Sequence, residues 1–237
     1  MNVTESRFKN RQLHIEDYLQ MVSAEQKEYA EVFDYSKIAE KSGVITDYWT
    51  NNLLDLILRK GNLNNAYKQV KKNKGKGGID GMQVDELLPF LRENQDTLIR
   101  KIREGKYKPN PVRRVEIPKE TEGEFRKLGV PTVVDRVIQQ AIAQELSPVY
   151  EKQFSENSFG FRPKRGAHDA LRQCQKNVND GYVYVVDMDL EKFFDTVCQS
   201  KLIEVLSRTI KDGRVISLIH KYLNAGVIAK GMFERTE

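Results

Sequence analysis

The sequence predicts an α+β fold that is rich in helices and carries one basic β-hairpin and one central strand. Apolar residues recur at helical spacing in several segments, which indicates amphipathic helices. Two short extended runs flank a polar turn and predict the hairpin. A β-branched and aromatic run, Tyr182–Val186, leads into Asp187 and Asp189 and predicts a buried strand that ends in carboxylates. With 237 residues, the chain suffices for one large domain or two small ones.

The composition argues against several classes of protein. No apolar run is long enough to span a bilayer, and no signal segment opens the chain, so we expect no membrane partner. Cys174 and Cys198 lie apart, and His14, His168 and His220 are scattered. We therefore expect free thiols, a cytoplasmic location and no His/Cys metal cluster.

Charge is distributed unevenly along the chain. Residues 1–59 carry 7 Lys and Arg against 10 Asp and Glu, whereas the remaining residues carry 32 against 24. The basic density peaks between Leu98 and Lys119, where eight Lys and Arg meet two Glu. Such a basic stripe indicates a polyanion partner, and a solvated helix face is the alternative.

The N-terminal segment, residues 1–59, has the pattern of polar helices without chemistry of their own. Glu16–Phe33 shows a loose helical stripe. Thr46 and Asp47 are placed to cap a second helix that ends near Gly61. We interpret the segment as an accessory helical layer or arm.

A basic, glycine-rich loop follows a short predicted helix at Asn62–Lys72 and runs to Gly81. Its lysines are Lys71, Lys72, Lys74 and Lys76. Glycine lets a backbone approach a phosphate closely and lysine supplies the charge, which favours contact with a nucleic-acid backbone. A plain surface loop explains the same composition equally well. The spacing is not that of a P-loop.

The predicted hairpin pairs Val112–Pro118 with Phe125–Val130, after a helix at Asp85–Lys106. Basic residues dominate it: Arg113, Arg114, Lys119, Arg126 and Lys127. Bidentate arginine matches phosphate oxygens, so the hairpin is a candidate for closing on a triphosphate or gripping a template phosphate.

A long core helix, Val133–Tyr150, precedes an aromatic loop, Phe154–Pro163. The loop interleaves its aromatics with Arg162, which suits base stacking and phosphate contact. Alternatively the phenylalanines wedge into the core, and we expect this of at least Phe159 or Phe161. Further helices are expected at Ala167–Val178, Ser200–Ile210 and Arg214–Leu223, and Gly226–Glu237 has the pattern of the start of a strand pair.

The carboxylates after the predicted strand indicate a cation site. A buried carboxylate without a partner is costly, so its position predicts a bound cation, which we interpret as magnesium. Side chains alternate along a strand, so Asp187 and Asp189 share one face, and periodicity does not choose between them.

Four blocks, in this order, resemble those of reverse transcriptases. Asp189–Asp195 is similar to motif A, with the pattern D-[ILV]-x-x-[FY]-F-D, and Ser158–Pro163 is similar to the second block. The first block is matched by Arg113–Lys119, Arg126–Thr132 and Asp135–Val137, and the additional N-terminal block of group II intron and non-LTR enzymes by Asn62–Gly81. The chain most resembles the bacterial group II intron-encoded reverse transcriptase and RNA-splicing maturase.

The resemblance implies a right-hand polymerase fold. Residues 60–180 would form the fingers and residues 181–237 the first part of the palm, after a helical extension at residues 1–59. It also implies an RNA-directed DNA polymerase that uses two Mg²⁺ ions and assists the splicing and mobility of its intron. The implied partners are the intron RNA, an RNA template, a DNA primer and dNTP in the bacterial cytoplasm.

The resemblance also assigns roles to individual residues. The spacing to Phe193-Phe194-Asp195 selects Asp189 as the catalytic metal ligand, helped by the backbone carbonyl of Leu190, while Asp195 is structural. Phe194 matches the residue that stacks on the sugar and excludes a 2′-hydroxyl. The nucleotide-binding candidates are Lys119 and Arg126, with Arg114 a weaker one, and the RNA-binding candidates are Lys71, Lys72, Lys74, Lys76, Arg113 and Arg162.

The chain departs from the family pattern where further metal ligands are expected. The Tyr-Ala-Asp-Asp and Gln-Gly blocks are absent, and one aspartate holds two Mg²⁺ ions poorly. We therefore expect a fragment that binds RNA and polymerises poorly alone. A non-catalytic RNA-binding splicing cofactor is the alternative, whereas four ordered blocks disfavour a helical scaffold with accidental matches. An open strand edge predicts a homodimer.

Overall fold

The computed structural model describes residues 51–118, 123, 125–190 and 192–235. The helices predicted around Glu16–Phe33 and from Thr46 and Asp47 to residue 50 lie outside these residues. The described chain forms two compact units, one of residues 148–190 and the other of residues 51–147 and 192–235. The domain boundaries drawn from the sequence remain a prediction.

The described residues confirm a helix-rich fold. The α-helices are α1 (Leu53–Ile57), α2 (Lys60–Lys72), α3 (Leu87–Arg103), α4 (Val133–Glu151), α5 (Ala167–Asn179), α6 (Phe193–Thr196), α7 (Gln199–Thr209) and α8 (Gly213–Leu223), with a 3₁₀ turn at Val84–Glu86. The helix predicted to end near Gly61 is interrupted, because Arg59 is extended and α2 starts after it. In the part of the chain that the structure describes, no helix is both long and apolar enough to cross a membrane.

A four-stranded sheet joins the predicted hairpin to the end of the chain. Its strands are β1 (Val112–Pro118), β2 (Phe125–Val130), β3 (Val227–Ala229) and β4 (Met232–Glu234), in the order β2-β1-β3-β4. The hairpin has the predicted bounds, and β3 and β4 form the predicted strand pair. β1 also pairs in parallel with β3, through Val112 with Val227 and Arg113 with Ile228. Local patterning does not predict this long-range pairing.

The core of the larger unit forms around the first half of α4. One face of this helix is fully buried, at Val133, Val134, Val137, Ile138, Ala141 and Ile142. The buried Asp212 caps α8 by accepting from Arg214 N at 3.1 Å, and it also accepts from Leu54 N at 3.0 Å. One carboxylate thus satisfies backbone donors in α1 and at the start of α8.

The expected central strand does not form. Residues 183–190 belong to no strand, and Tyr184 is 94% exposed. The neighbouring apolar side chains Val183, Val185, Val186 and Met188 are exposed as well. A strand needs a neighbour for its backbone hydrogen bonds. The prediction of a buried strand is therefore wrong, because the described residues supply no neighbouring strand for this segment.

Candidate nucleic-acid interface

The basic loop between α2 and the 3₁₀ turn packs its backbone inward and its lysines outward. Gly77 and Gly78 are buried, whereas Lys74 and Lys76 of the loop and Lys71 and Lys72, which end α2, are all exposed. A Cβ on Gly78 would lie 2.6 Å from Thr132 Cα, and one on Gly77 would lie 2.6 Å from Met82 O. These two glycines therefore permit close packing within the protein. Contact of the loop backbone with a phosphate stays a prediction.

The two β-strands of the hairpin carry different chemistry on their two faces. The register pairs Val115 with Leu128 and Ile117 with Arg126, so these residues share a face with Arg113. Arg113 Nη2 donates to Gly77 O at 2.9 Å. The basic loop therefore adjoins this first face, which ends at Arg126.

The opposite face of the hairpin holds Arg114. Its guanidinium donates to Glu234 Oε2 at 2.7 Å, in an ion pair between β1 and β4. Glu116 pairs with Lys127 on the same side. The two arginines predicted to bind nucleotide thus lie on opposite faces, and Arg114 already has a carboxylate partner. Lys119 lies outside the described residues.

The aromatic loop of the smaller unit is held together by Arg162. This residue is 8% exposed, and its Nη2 and Nε donate to the Glu151 carboxylate at 2.7 and 3.0 Å. Its Nη1 donates to Ser155 O at 2.6 Å and to Ser158 O at 3.0 Å. All three nitrogens are engaged within the unit. In this arrangement Arg162 has no free donor for an RNA phosphate.

The phenylalanines of this loop do not enter a core. Phe161 is fully exposed and adopts a left-handed backbone conformation with φ 54°. Phe159 is half-buried beneath Arg165, whose guanidinium carbon lies 5.7 Å from the ring centroid. Phe154 is half exposed under Arg162 at 5.4 Å. The expectation that Phe159 or Phe161 enters the core is therefore wrong, because Phe159 is only half-buried and Phe161 is exposed.

The predicted catalytic residue lies in the exposed segment. Asp189 and Asp187 are both exposed, and Asp189 Oδ1 accepts from Leu190 N at 2.9 Å. Within the larger unit, Phe194 is 87% exposed on α6, with its ring 5.5 Å from that of Phe193 in an edge-to-face arrangement.

The donor set does not fit a pair of magnesium ions. Among the described residues, no group of three or more His, Cys, Asp and Glu is placed to hold a metal. Each magnesium ion needs about six oxygen ligands in near-octahedral geometry, and Asp189 with the Leu190 carbonyl supplies too few.

Sequence reasoning missed a buried carboxylate, that of Asp135, which accepts hydrogen bonds from three other residues of the larger unit. Asp135 is 1% exposed and accepts from Tyr107 OH and Thr132 Oγ1, each at 2.6 Å, and from Asn110 N at 3.2 Å. Burial, together with Asp135, raises the pKa of Tyr107, so its hydroxyl stays protonated and donates. The spacing Thr132-x-x-Asp135 after Pro131 is a capping signal that was available in the sequence.

The reverse transcriptase (RNA-dependent DNA polymerase) family matches residues 117–236. The match covers half of the chain, so the chain belongs to this family. Its curated relatives include Escherichia coli protein YkfC, 36% identical over 66% of this chain and 42% of YkfC. The group II intron-encoded protein LtrA of Lactococcus lactis is 34% identical over 72% of this chain and 28% of LtrA. The chain thus spans less than half the length of these relatives.

Two further similarities agree with the family. Nuclear intron maturase 2 of Arabidopsis thaliana, a mitochondrial protein by its name, is 38% identical over 40% of this chain and 13% of its own length. A solved Cas6-RT-Cas1–Cas2 complex matches with a TM-score of 0.50 at 21% identity, over 76% of this chain and 29% of the matched one. The resemblance to group II intron reverse transcriptases and maturases is confirmed by the relatives, and the structural match supports the fold.

Proposed function

We propose that this chain is the N-terminal part of an RNA-directed DNA polymerase that also binds its intron RNA to assist splicing and mobility. The observation that carries the proposal is a set of exposed cations, Lys71, Lys72, Lys74 and Lys76 with Arg126 on the first hairpin face, in a member of the reverse transcriptase family. The partners would be group II intron RNA, an RNA template, a DNA primer and dNTP.

On this proposal the lysines and the hairpin bind different parts of the nucleic-acid substrates. Lys71, Lys72, Lys74 and Lys76 would contact RNA phosphates, because all four are exposed at the end of α2 and on the loop that follows it. Arg126, at the far end of the adjoining face, would meet the triphosphate of the incoming nucleotide, as would Lys119. We leave Arg114 and Arg162 out of the interface, because both already have carboxylate partners.

Asp189 is proposed as a carboxylate of nucleotidyl transfer in a protein of the relatives' length. Reverse transcriptases generally use divalent metal ions, and motif A assigns Asp189 and the Leu190 carbonyl to them. The further carboxylates of such a site would come from elsewhere in that protein. A cytoplasmic location in bacteria and a homodimer remain proposals as well.

The matched substitutions Asp189→Ala and Asp187→Ala test the assignment in a protein of that length. We expect Asp189→Ala to reduce primer extension on an RNA template at least about a hundredfold, the scale on which single electrostatic contacts act at reaction centres. Asp187→Ala should retain extension within a few-fold. Extension that survives in Asp189→Ala would show that the catalytic assignment is wrong.

The alternative is an RNA-binding splicing cofactor without polymerase chemistry. The exposed, isolated Asp189 favours this alternative for the chain as it stands. Splicing of the intron, measured on the same two variants, separates the functions. Splicing retained in Asp189→Ala with extension lost supports both activities, whereas splicing by an unsubstituted protein of that length that shows no extension supports the cofactor role alone.

A further inference from the structure

The basic loop is fastened to the rest of the larger unit by two arginines that come from other elements. Arg136, on the first turn of α4, donates from Nη2 to Lys76 O at 2.6 Å. Arg113, on β1, donates from Nη2 to Gly77 O at 2.9 Å. Two consecutive loop carbonyls are thus held by cations, and charge-assisted hydrogen bonds of this kind are among the stronger ones.

The loop backbone is shaped to receive these arginines. A Cβ on Gly75 would collide with Arg136 Nη1, so the guanidinium occupies the space that a side chain would need. Lys74 adopts a left-handed conformation with φ 46°, which is uncommon without glycine and persists where the surroundings impose it. Together with the buried Gly77 and Gly78, these features indicate one defined conformation.

Arg136 is poorly placed to act as a phosphate contact itself. Its Nε is buried and has no hydrogen-bond partner. Burial lowers the pKa of the guanidinium, and nearby Asp80 opposes that shift. Arg136 is therefore partly desolvated and donates to Lys76 O, so its contact is with the loop and not with a ligand.

We infer that Arg136 is a positioning residue, which with Arg113 fixes the basic loop so that Lys74 and Lys76 are arranged for an RNA backbone before RNA binds, beside Lys71 and Lys72 at the end of α2. The inference rests on the proposed role of these lysines in RNA binding. Fixing a loop in its bound conformation raises affinity because less conformational entropy is lost on binding. It does not change how many phosphates are neutralised.

A substitution without a charge change separates positioning from contact. Gly75→Ala displaces the flexible end of Arg136, and Gly75 does not need a left-handed backbone. Arg136→Lys keeps the charge but loses the planar donor geometry. Gly61→Ala is the matched control, because a Cβ there meets nothing within 4 Å.

The first measurement needs no RNA and tests the fixed loop directly. Limited trypsin digestion of the full chain, read by mass spectrometry, gives the cleavage rate after Lys74 and Lys76 relative to the exposed Lys211. We expect Gly75→Ala and Arg136→Lys to raise this ratio about tenfold, as an opening cost lower by roughly 1.4 kcal/mol would do. Gly61→Ala should leave it unchanged. Unchanged cleavage in both loop variants would overturn the inference.

The second measurement is the affinity for a short single-stranded RNA oligonucleotide as a function of salt. We expect Gly75→Ala and Arg136→Lys to weaken binding several-fold while the slope of log K against log[salt] stays the same. If Arg136 contacted phosphate, Arg136→Gln would reduce the slope by about 0.7 and Arg136→Lys would keep the affinity. Either result would overturn the positioning role.

Replacing all four lysines by alanine distinguishes the two proposals. A slope reduced by about 3 supports the RNA-binding loop, at roughly 0.7 per lost phosphate contact. An unchanged slope means that the loop does not bind RNA, and the positioning role falls with it even if trypsin shows a fixed loop. If the four-lysine variant has a reduced slope but Gly75→Ala binds RNA as tightly as the unsubstituted chain, the positioning role is refuted and the RNA-binding role of the lysines stands.

Discussion

The sequence indicated a functional role for both the basic loop and the segment 182–190. In the structure the backbone of the loop is packed against the protein, whereas the segment is exposed. The loop packs Gly77 and Gly78 against the protein and has its carbonyls bound by Arg136 and Arg113. The segment around Asp189 has exposed side chains and no strand beside it in the described chain. A recognisable motif therefore identifies chemistry, whereas a working site also needs partners from distant residues.

We expect the largest loss of stability in the larger unit when the buried carboxylate of Asp135 is changed. Asp135→Asn keeps the shape of the side chain but faces the Thr132 and Asn110 donors with an amide that is itself a donor. We expect the free energy of unfolding to fall by about 2–4 kcal/mol, because buried donors lose a charged acceptor. Urea denaturation measures this change. The control Asp96→Asn alters an exposed residue of α3 and should stay within about 0.5 kcal/mol.

The two faces of the hairpin also differ, because Arg126 is exposed on one face and Arg114 is paired with a carboxylate on the other. Arg126→Ala removes the exposed cation that we assign to the triphosphate, whereas Arg114→Ala removes one that is paired with Glu234. In primer extension by a protein of the relatives' length, we expect Arg126→Ala to raise KM for dNTP about tenfold or more, the scale of one charge-assisted hydrogen bond. Arg114→Ala should stay within about twofold. Equal effects would contradict the assignment of the faces.

The contacts of Asp212 predict that the larger unit becomes less stable in acid. Burial alone would raise its pKa, but the Arg214 guanidinium and the N–H groups of Leu54 and Arg214 hold it below the ordinary value of 3.8. Its contribution is therefore complete above the unfolded pKa and is lost as the pH falls through the lower folded pKa. Asp212→Asn should cost about 1–2 kcal/mol near neutral pH, and the difference should shrink below about pH 4. A difference that is independent of pH would refute this account.

The smallest effect is expected in the exposed segment. Val186→Ala should change the free energy of unfolding by less than about 0.5 kcal/mol, because Val186 is 80% exposed. The same substitution at Val137, which is 4% exposed in α4, should cost about 2 kcal/mol. Thermal or urea denaturation of the pair provides the comparison. A large loss from Val186→Ala would mean that the segment is packed in solution.

Local elements were predictable because their signals are local. The alternation of Val115 and Ile117 with polar neighbours determined β1, and the apolar stripe from Val133 to Ile142 determined α4. The pairing of β1 with β3 was not predictable, because it joins residues more than a hundred positions apart. Asp135 was overlooked for the same reason, since Tyr107 and Asn110 approach it only in the folded chain.

By itself the sequence determined the helices, the hairpin and the family, because periodicity, turn residues and ordered blocks are all carried along the chain. Only the tertiary structure decided which cations are available to a ligand. Arg113 binds a carbonyl 36 residues away, and Arg114 a carboxylate 120 residues away. A guanidinium can donate to a phosphate, a carboxylate or a carbonyl. Its function therefore depends on the acceptor that folding brings within reach.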